Sequence, residues 1–309
     1  MGEIINFGGK KFNFKPKKEQ KTDDLIALLP KLKILKDEII VFKINSNVIN
    51  NDILLRGLIK EIITLKCMGC ITIIVPDVNN KVEEYLLQNQ GLKNVFDTNV
   101  FIDTNGLTDV LEVIIKHDVV NKICGVFNEY KVANMALSGN DMNIIFADDV
   151  INYNVEEISF SRKSIGGSNL QSQKRYSIDL LNEIIKTDII PVIMPTFKDK
   201  NSNEYLMESG MYAMYLAKYL NALKYILIYN NDKHIPTNCI YGVERFTKLI
   251  KSGDFKAKTL QSINSAMEAV KNGVQVAHLI DIEQCSLIET LCDVEHNGLC
   301  IYDDCLNSL

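Results

Sequence analysis

The chain has 309 residues, 47% of them apolar, and a formal net charge of −5. That is enough apolar material for one large or two medium domains around a sizeable core, and the negative balance gives no general attraction to polyanions, so nucleic acid is excluded as a default partner. No apolar run approaches the roughly 20 residues a membrane span needs, and the amino terminus lacks the hydrophobic core of a signal peptide. The expectation is a globular, cytoplasmic protein with no membrane partner.

In chain order, Lys10, Lys11, Lys15, Lys17, Lys18 and Lys21 read as a solvated amino-terminal arm. Thr22 then caps a helix with Asp23 and Asp24 in its first turn and a stripe of Leu25, Leu28, Leu32 and Leu35, the arrangement that complements a helix dipole. Pro30 should kink it, because an interior proline costs roughly 3 kcal/mol. The apolar run Ile39-Ile40-Val41-Phe42 is closed by Lys43 and followed by Ile44-Asn45-Ser46-Asn47, a strand and its loop. A long amphipathic helix is predicted from about Asn51 to Gly69, with Leu54, Leu58, Ile62 and Leu65 as its stripe and Lys66 in its last turn. A second strand from Ile71 to Val75 leads into the loop Pro76-Asp77-Val78-Asn79-Asn80.

Further apolar runs from Ile189 to Met194, Lys224 to Tyr229 and Val274 to Asp281 are short and read as buried strands. Helical stretches lie near Ser177 to Lys186, Leu206 to Leu220 and Thr259 to Val270, the last stopped by Gly273. Such alternation predicts a three-layer α/β/α sandwich with a mainly parallel central sheet. Ligands of open α/β sheets bind at the carboxyl ends of the strands, which directs attention to the loops after Lys43 and Val75. Phosphate-binding loops are usually glycine-rich, since bare backbone approaches an anion closely, and neither loop contains glycine.

Eight scattered cysteines do not form a secreted disulfide framework. Cys67 and Cys70 make a lone C-x-x-C where the first long helix gives way to a strand, and they read as buried thiols. His117, His234, His278 and His296 have no companions at zinc-ligand spacing, so no metal site is expected from side chains alone.

Three stretches in their order and spacing resemble the amino-acid kinase family, and within it the acetylglutamate kinases. Asn121-Lys122 with Ala136-Leu137-Ser138-Gly139-Asn140-Asp141 is similar to the family's Gly-Leu-(Ser/Thr)-Gly-x-Asp. Ile189-Ile190-Pro191-Val192-Ile193-Met194-Pro195 is similar to its Tyr-Ile-Pro-Val-Ile-x-Pro. Ala277-His278-Leu279-Ile280-Asp281 with Glu289 and Gly298 is similar to the region that binds arginine in feedback-inhibited members. The resemblance runs from about Thr22 to the end. It implies an arm and oligomerisation helix over 1–36, an amino-terminal lobe on the acyl amino acid side over 37–190, and a carboxyl-terminal lobe on the nucleotide side, with a possible arginine sensor, over 191–309.

The resemblance also implies ATP-dependent phosphorylation of the side-chain carboxylate of N-acetyl-L-glutamate, with ATP and Mg²⁺ as cofactors if the chain is active. Such chemistry rests on charge neutralisation and in-line positioning. The family's strand-end lysine matches Lys43. Its glycine pair falls on Asn45 and Ser46, and its second glycine loop on Asp77, Val78 and Asn79, where Asp77 brings negative charge toward the meeting place of phosphate and carboxylate. Its substrate-clamping arginine falls on Ile102, which cannot make a bidentate carboxylate contact. The family's Asn-x-Asn-Ala-Asp falls on Leu206-Met207-Glu208-Ser209-Gly210, so Glu208 stands at a substrate position and Gly210 at that of the organising aspartate. The second catalytic lysine falls on Ser262, with Lys258 one turn earlier either able to reach the same region or simply facing solvent.

Of the charged set only Lys43 is retained, and oriented charges can each be worth orders of magnitude in rate. Three readings follow. One is a working acetylglutamate kinase with a rearranged site. Another is a weakened or inactive homologue that keeps a homodimer or homohexamer and binds a small molecule such as N-acetylglutamate, ATP or arginine. The third is another reaction on the same fold, phosphorylating a carbamate or a nucleoside monophosphate. The proline-bearing helix from Thr22 to Leu35 resembles the helix that interlaces dimers into hexamers in arginine-sensitive members, or else packs on its own domain.

Overall fold

The computed structural model describes residues 4–7, 10–13, 30, 33–92, 95–98, 101–104, 107–142, 181–198, 203–232, 235–236, 238–252, 257–292 and 298–304. Among these the strands are β1 (Ile4–Phe7), β2 (Lys10–Asn13), β3 (Ile39–Ile44), β4 (Ile71–Pro76), β5 (Phe101–Asp103), β6 (Asn134–Ser138), β7 (Ile190–Met194), β8 (Thr196–Lys198), β9 (Glu204–Met207), β10 (Lys224–Tyr229), β11 (Cys239–Gly242), β12 (Val276–Asp281) and β13 (Leu299–Tyr302). The central sheet runs β11-β13-β12-β10-β3-β4-β7-β6. Every pairing in it is parallel except β12 with β13.

The near-continuous apolar runs of β3, β4 and β10 fit strands covered on both faces. Because successive side chains alternate across a sheet, Val41, Ile73, Leu227 and Leu279 join one core, which includes the buried side of the Ser209–Tyr219 and Ala257–Lys271 helices. Ile40, Phe42, Ile74, Ile226 and Ile280 join the other, with the Asp52–Cys67 helix. The predicted three-layer arrangement is the one observed.

The Asp52–Cys67 helix begins where the side chain of Asn51 accepts from the Ile53 and Leu54 amides, and has Asp52 in its first turn and Lys66 in its last. Its buried stripe is Leu55, Leu58, Ile59, Ile62 and Leu65, each side chain worth about 1.5–3 kcal/mol of burial. Leu54, expected within that stripe, sits at its half-buried edge.

Several expectations change. The helix predicted from Leu206 starts later: Leu206 and Met207 lie on β9, in a small antiparallel sheet of order β5-β9-β8, and the helix opens at Ser209 behind the capping side chain of Glu208. The loop predicted from Pro76 to Asn80 is tighter, since β4 runs through Pro76 and a helix begins at Asn79. Cys70 is buried, but Cys67 is exposed, because it lies two residues beyond Leu65 and so on the far side of its helix from the stripe. Lys10 and Lys11 lie on β2, paired antiparallel with β1, and the other lysines of the predicted arm lie outside the described residues. Most of the leading helix predicted from Thr22 to Leu35 lies outside the described residues. Pro30 and Lys33 are helical, and Leu35 is buried in the second core.

Candidate functional site

Lys43 is the second-last residue of β3, in register with Val75 on β4 and Leu227 on β10. Its Nζ thus emerges at the carboxyl end of the three central strands, where β4 hands over to Asp77. The side chain is only 3% exposed. Nζ donates to Asp77 Oδ2 at 3.1 Å and to Asn45 Oδ1. The same carboxylate accepts from the Ser46 amide at 3.4 Å through Oδ2 and from the Asn79 amide at 3.1 Å through Oδ1.

Neighbouring loop amides are engaged as well. The Asn45 amide donates to Ile228 O at 2.9 Å and the Asp77 amide to Ile44 O at 2.8 Å. The Val78 amide donates to Ser209 Oγ at 3.1 Å. The two loops after β3 and β4 are therefore held by the protein's own acceptors, which is how glycine-free loops satisfy backbone donors at a buried position.

Glu208 is 3% exposed. Its carboxylate caps the Ser209–Tyr219 helix, accepting from the Gly210 amide at 2.9 Å and the Met211 amide at 2.8 Å. It also accepts from Asn79 Nδ2 at 3.0 Å. Asn79 Oδ1 in turn accepts from the Ser209 amide and hydroxyl at 3.2 and 3.1 Å, so the loop after β4 is stitched to the start of this helix. At Gly210 an added Cβ would lie 2.9 Å from Ser265 Oγ and 3.0 Å from Glu208 Oε2. Ser265 Oγ is fixed there by Tyr225 Oη at 3.0 Å and by donation to Ser262 O at 2.8 Å. Burial raises the Tyr225 phenol above its ordinary range, so this backing is uncharged.

A cavity of about 180 Å³ lies beside these groups, lined by the two loops together with Glu83, Phe96, Glu208, Asp232, Gln261 and Ser262. It brings together Lys43, Asn45, Ser46, Asp77 and Glu208 from the residues singled out in the sequence, and Ser262 faces them from the Ala257–Lys271 helix. Lys258 lies in the first turn of that helix. Val78 is fully buried in the second core rather than on the wall. Ile102 is not among the lining residues: it pairs with Leu206 between β5 and β9 and packs on the second core.

The residues matched to an effector region lie elsewhere. His278 is buried on β12, its Nε2 3.2 Å from Lys224 Nζ. Burial first, and then the Lys224 charge, hold its pKa well below the ordinary imidazole range. Gly298 has φ +82°, and a Cβ there would meet Leu279 O at 2.6 Å, while Glu289 is exposed in the Leu287–Cys292 helix. Among the described residues no group of three or more His, Cys, Asp or Glu side chains is placed to hold a metal ion, and no helix is long and apolar enough to cross a membrane.

Residues 38–281 match the profile of the amino acid kinase family. The chain belongs to that family. Similar family members include the acetylglutamate kinase of Hydrogenovibrio crunogenus, 24% identical over 87% of this chain and 92% of its own, and that of Nitrosomonas eutropha, 26% identical over 89% and 94%. Among solved structures, N-acetylglutamate synthase from Neisseria gonorrhoeae complexed with coenzyme A and N-acetyl-glutamate superposes with a TM-score of 0.70 at 15% identity, covering 92% of this chain and 63% of that one. This chain thus spans under two thirds of the synthase. Carbamate kinase from Giardia lamblia bound to AMP-PNP superposes with a TM-score of 0.56 at 12% identity, covering 86% and 99%. These structural likenesses show the amino acid kinase fold.

Sequence reasoning missed Ser209 and Ser265, whose hydroxyls occupy the space around Asn79 and Gly210, and the cavity residues Glu83, Phe96, Asp232 and Gln261. A signal existed for one of them: Glu208-Ser209 ahead of an apolar stretch is a helix-start pattern. Glu83 follows the second loop on the Asn79–Gln90 helix, and the others are brought in from distant segments by the fold.

Proposed function

We propose that this amino acid kinase family member is an acetylglutamate kinase homologue with weak or no phosphotransfer activity. The observation that carries this reading is that the Asn45, Ser46, Asp77, Val78 and Asn79 amides of the cleft loops, and the Lys43 ammonium, are engaged by the protein itself. Phosphoryl transfer needs such groups directed at the transferring phosphate. The residues at the strand ends therefore do not fit the phosphates of ATP as they stand, and no phosphoryl step is derived for them. Gly210 and Ser262, at the positions matched to the organising aspartate and the second lysine, supply no compensating charge.

The cavity favours a second role, retention of a small ligand. Its volume of about 180 Å³ is below the ~300–1,000 Å³ typical of drug-sized pockets and suits a metabolite of amino-acid size, such as arginine. Steady-state measurement of acylphosphate formation from ATP and N-acetyl-L-glutamate tests the first statement. Thermal-shift titration with the same acyl amino acid and with arginine tests the second. Robust turnover would overturn the reading of an impaired site.

A further inference from the structure

We infer that Asp77 is a tethered anion that sets the charge selectivity of the cleft: its carboxylate occupies the seat that Lys43 and the Ser46 amide would otherwise offer to a phosphate or carboxylate ligand. The inference rests on the proposed reading that the cleft does not take nucleotide phosphates, and names the residue responsible.

Three donors converge on this one carboxylate, the Lys43 ammonium and the amides of Ser46 and Asn79. A cation joined by backbone N–H groups is the donor set that protein sites use to hold phosphate or carboxylate. Here the acceptor belongs to the chain. Position matters equally: Lys43, Ser46 and Asp77 all line the cavity, so the ion pair lies in the ligand space rather than deep between helices. The Asp77 side chain keeps 12% exposure while that of Lys43 keeps 4%, which puts the carboxylate on the wet side of the pair. Removing it uncovers a buried ammonium and an amide facing the cavity. An incoming anion now has to displace Asp77 or accept its charge at close range, and either excludes it.

A purely structural ion pair predicts something different, loss of stability on removal of Asp77 with no change in affinity for anions. Inorganic pyrophosphate, titrated calorimetrically at fixed ionic strength into wild type, Asp77→Gly, Asp77→Asn and the double variant Lys43→Met/Asp77→Gly, separates the two. Asp77→Gly and Asp77→Asn are expected to bind at least about tenfold tighter than wild type, since each charge-assisted hydrogen bond regained is worth roughly that factor or more. The gain should vanish in the double variant. Where a single variant is too unstable to titrate, its melting temperature with and without pyrophosphate is the readout, and the anion should raise it in the variant but not in wild type. Single variants that show neither tighter binding nor anion-dependent stabilisation overturn the inference, as does a gain that survives the loss of Lys43. The two failures are distinguishable: a turning-over wild type sinks that reading and the inference resting on it, whereas an inert wild type with anion-indifferent variants sinks only the tethered anion.

Discussion

Removing both partners of the Lys43–Asp77 pair should cost well below the summed costs of removing each alone, and the difference can be worked from the geometry. At 3.1 Å and an effective dielectric of about 20, two unit charges attract by about 5 kcal/mol. Desolvation of both groups offsets much of this, so the pair adds little net stability, but an orphaned partner in a buried site typically costs about 3–5 kcal/mol. Lys43→Met leaves Asp77 with the Ser46 and Asn79 amides and belongs at the lower end. Asp77→Asn leaves the ammonium with Asn45 and whatever the new amide oxygen supplies, and belongs in the same range. The double variant Lys43→Met/Asp77→Asn should then fall short of the summed single costs by about 2–3 kcal/mol, the upper range for contacting residues. Urea unfolding of the four proteins, with unchanged m-values, measures that coupling. Additivity within about 0.5 kcal/mol would show that the two charges do not depend on one another and would refute the argument.

Gly210→Asp, which reinstates a carboxylate at the position matched to the catalytic aspartate, should destabilise by about 3 kcal/mol or more through overpacking against Ser265 and like charge beside Glu208 and bring no activity. Gly210→Ala isolates the steric part at about 1–3 kcal/mol. Chemical denaturation checks both, and wild-type stability in the aspartate variant would contradict the packing described. Asn79→Ala loses its contacts to Glu208 and Ser209 and should cost about 2–3 kcal/mol, read as a lowered melting temperature. For His278, the depressed folded-state pKa means that the unfolded chain binds the proton more readily. Its contribution is fully present above about pH 6.5 and is lost as pH falls below that value toward the folded pKa, by up to about 1.4 kcal/mol per pH unit. Stability measured from pH 7 to 5 should have this slope reduced in His278→Leu, and an unchanged slope would show that the buried imidazole is not its source.

The strands and long helices were legible because β3, β4 and β10 are short apolar runs and the Asp52–Cys67 helix carries both its cap and its stripe. Lys43 was legible for the same reason, as the lone charge ending a buried strand. Asp77 was read as a repulsive charge, and only the register of β3 against β4 shows that its carboxylate lies on Lys43. Glu208 was matched to a substrate position and Ile102 to the position of the family's clamping arginine; in the fold Glu208 caps a helix while also lining the cavity, and Ile102 packs against the second core. Linear spacing cannot reveal that Asn79 meets Ser209, or that Ser265 fills the space beside Gly210, because those contacts exist only once distant elements pack.

The most direct measurement is ATP-dependent acylphosphate formation from N-acetyl-L-glutamate by the full-length wild-type chain. The account predicts turnover far below the ~1–100 s⁻¹ usual for phosphotransfer enzymes, unaffected by Lys43→Ala. Turnover within that range, abolished by Lys43→Ala, would contradict it.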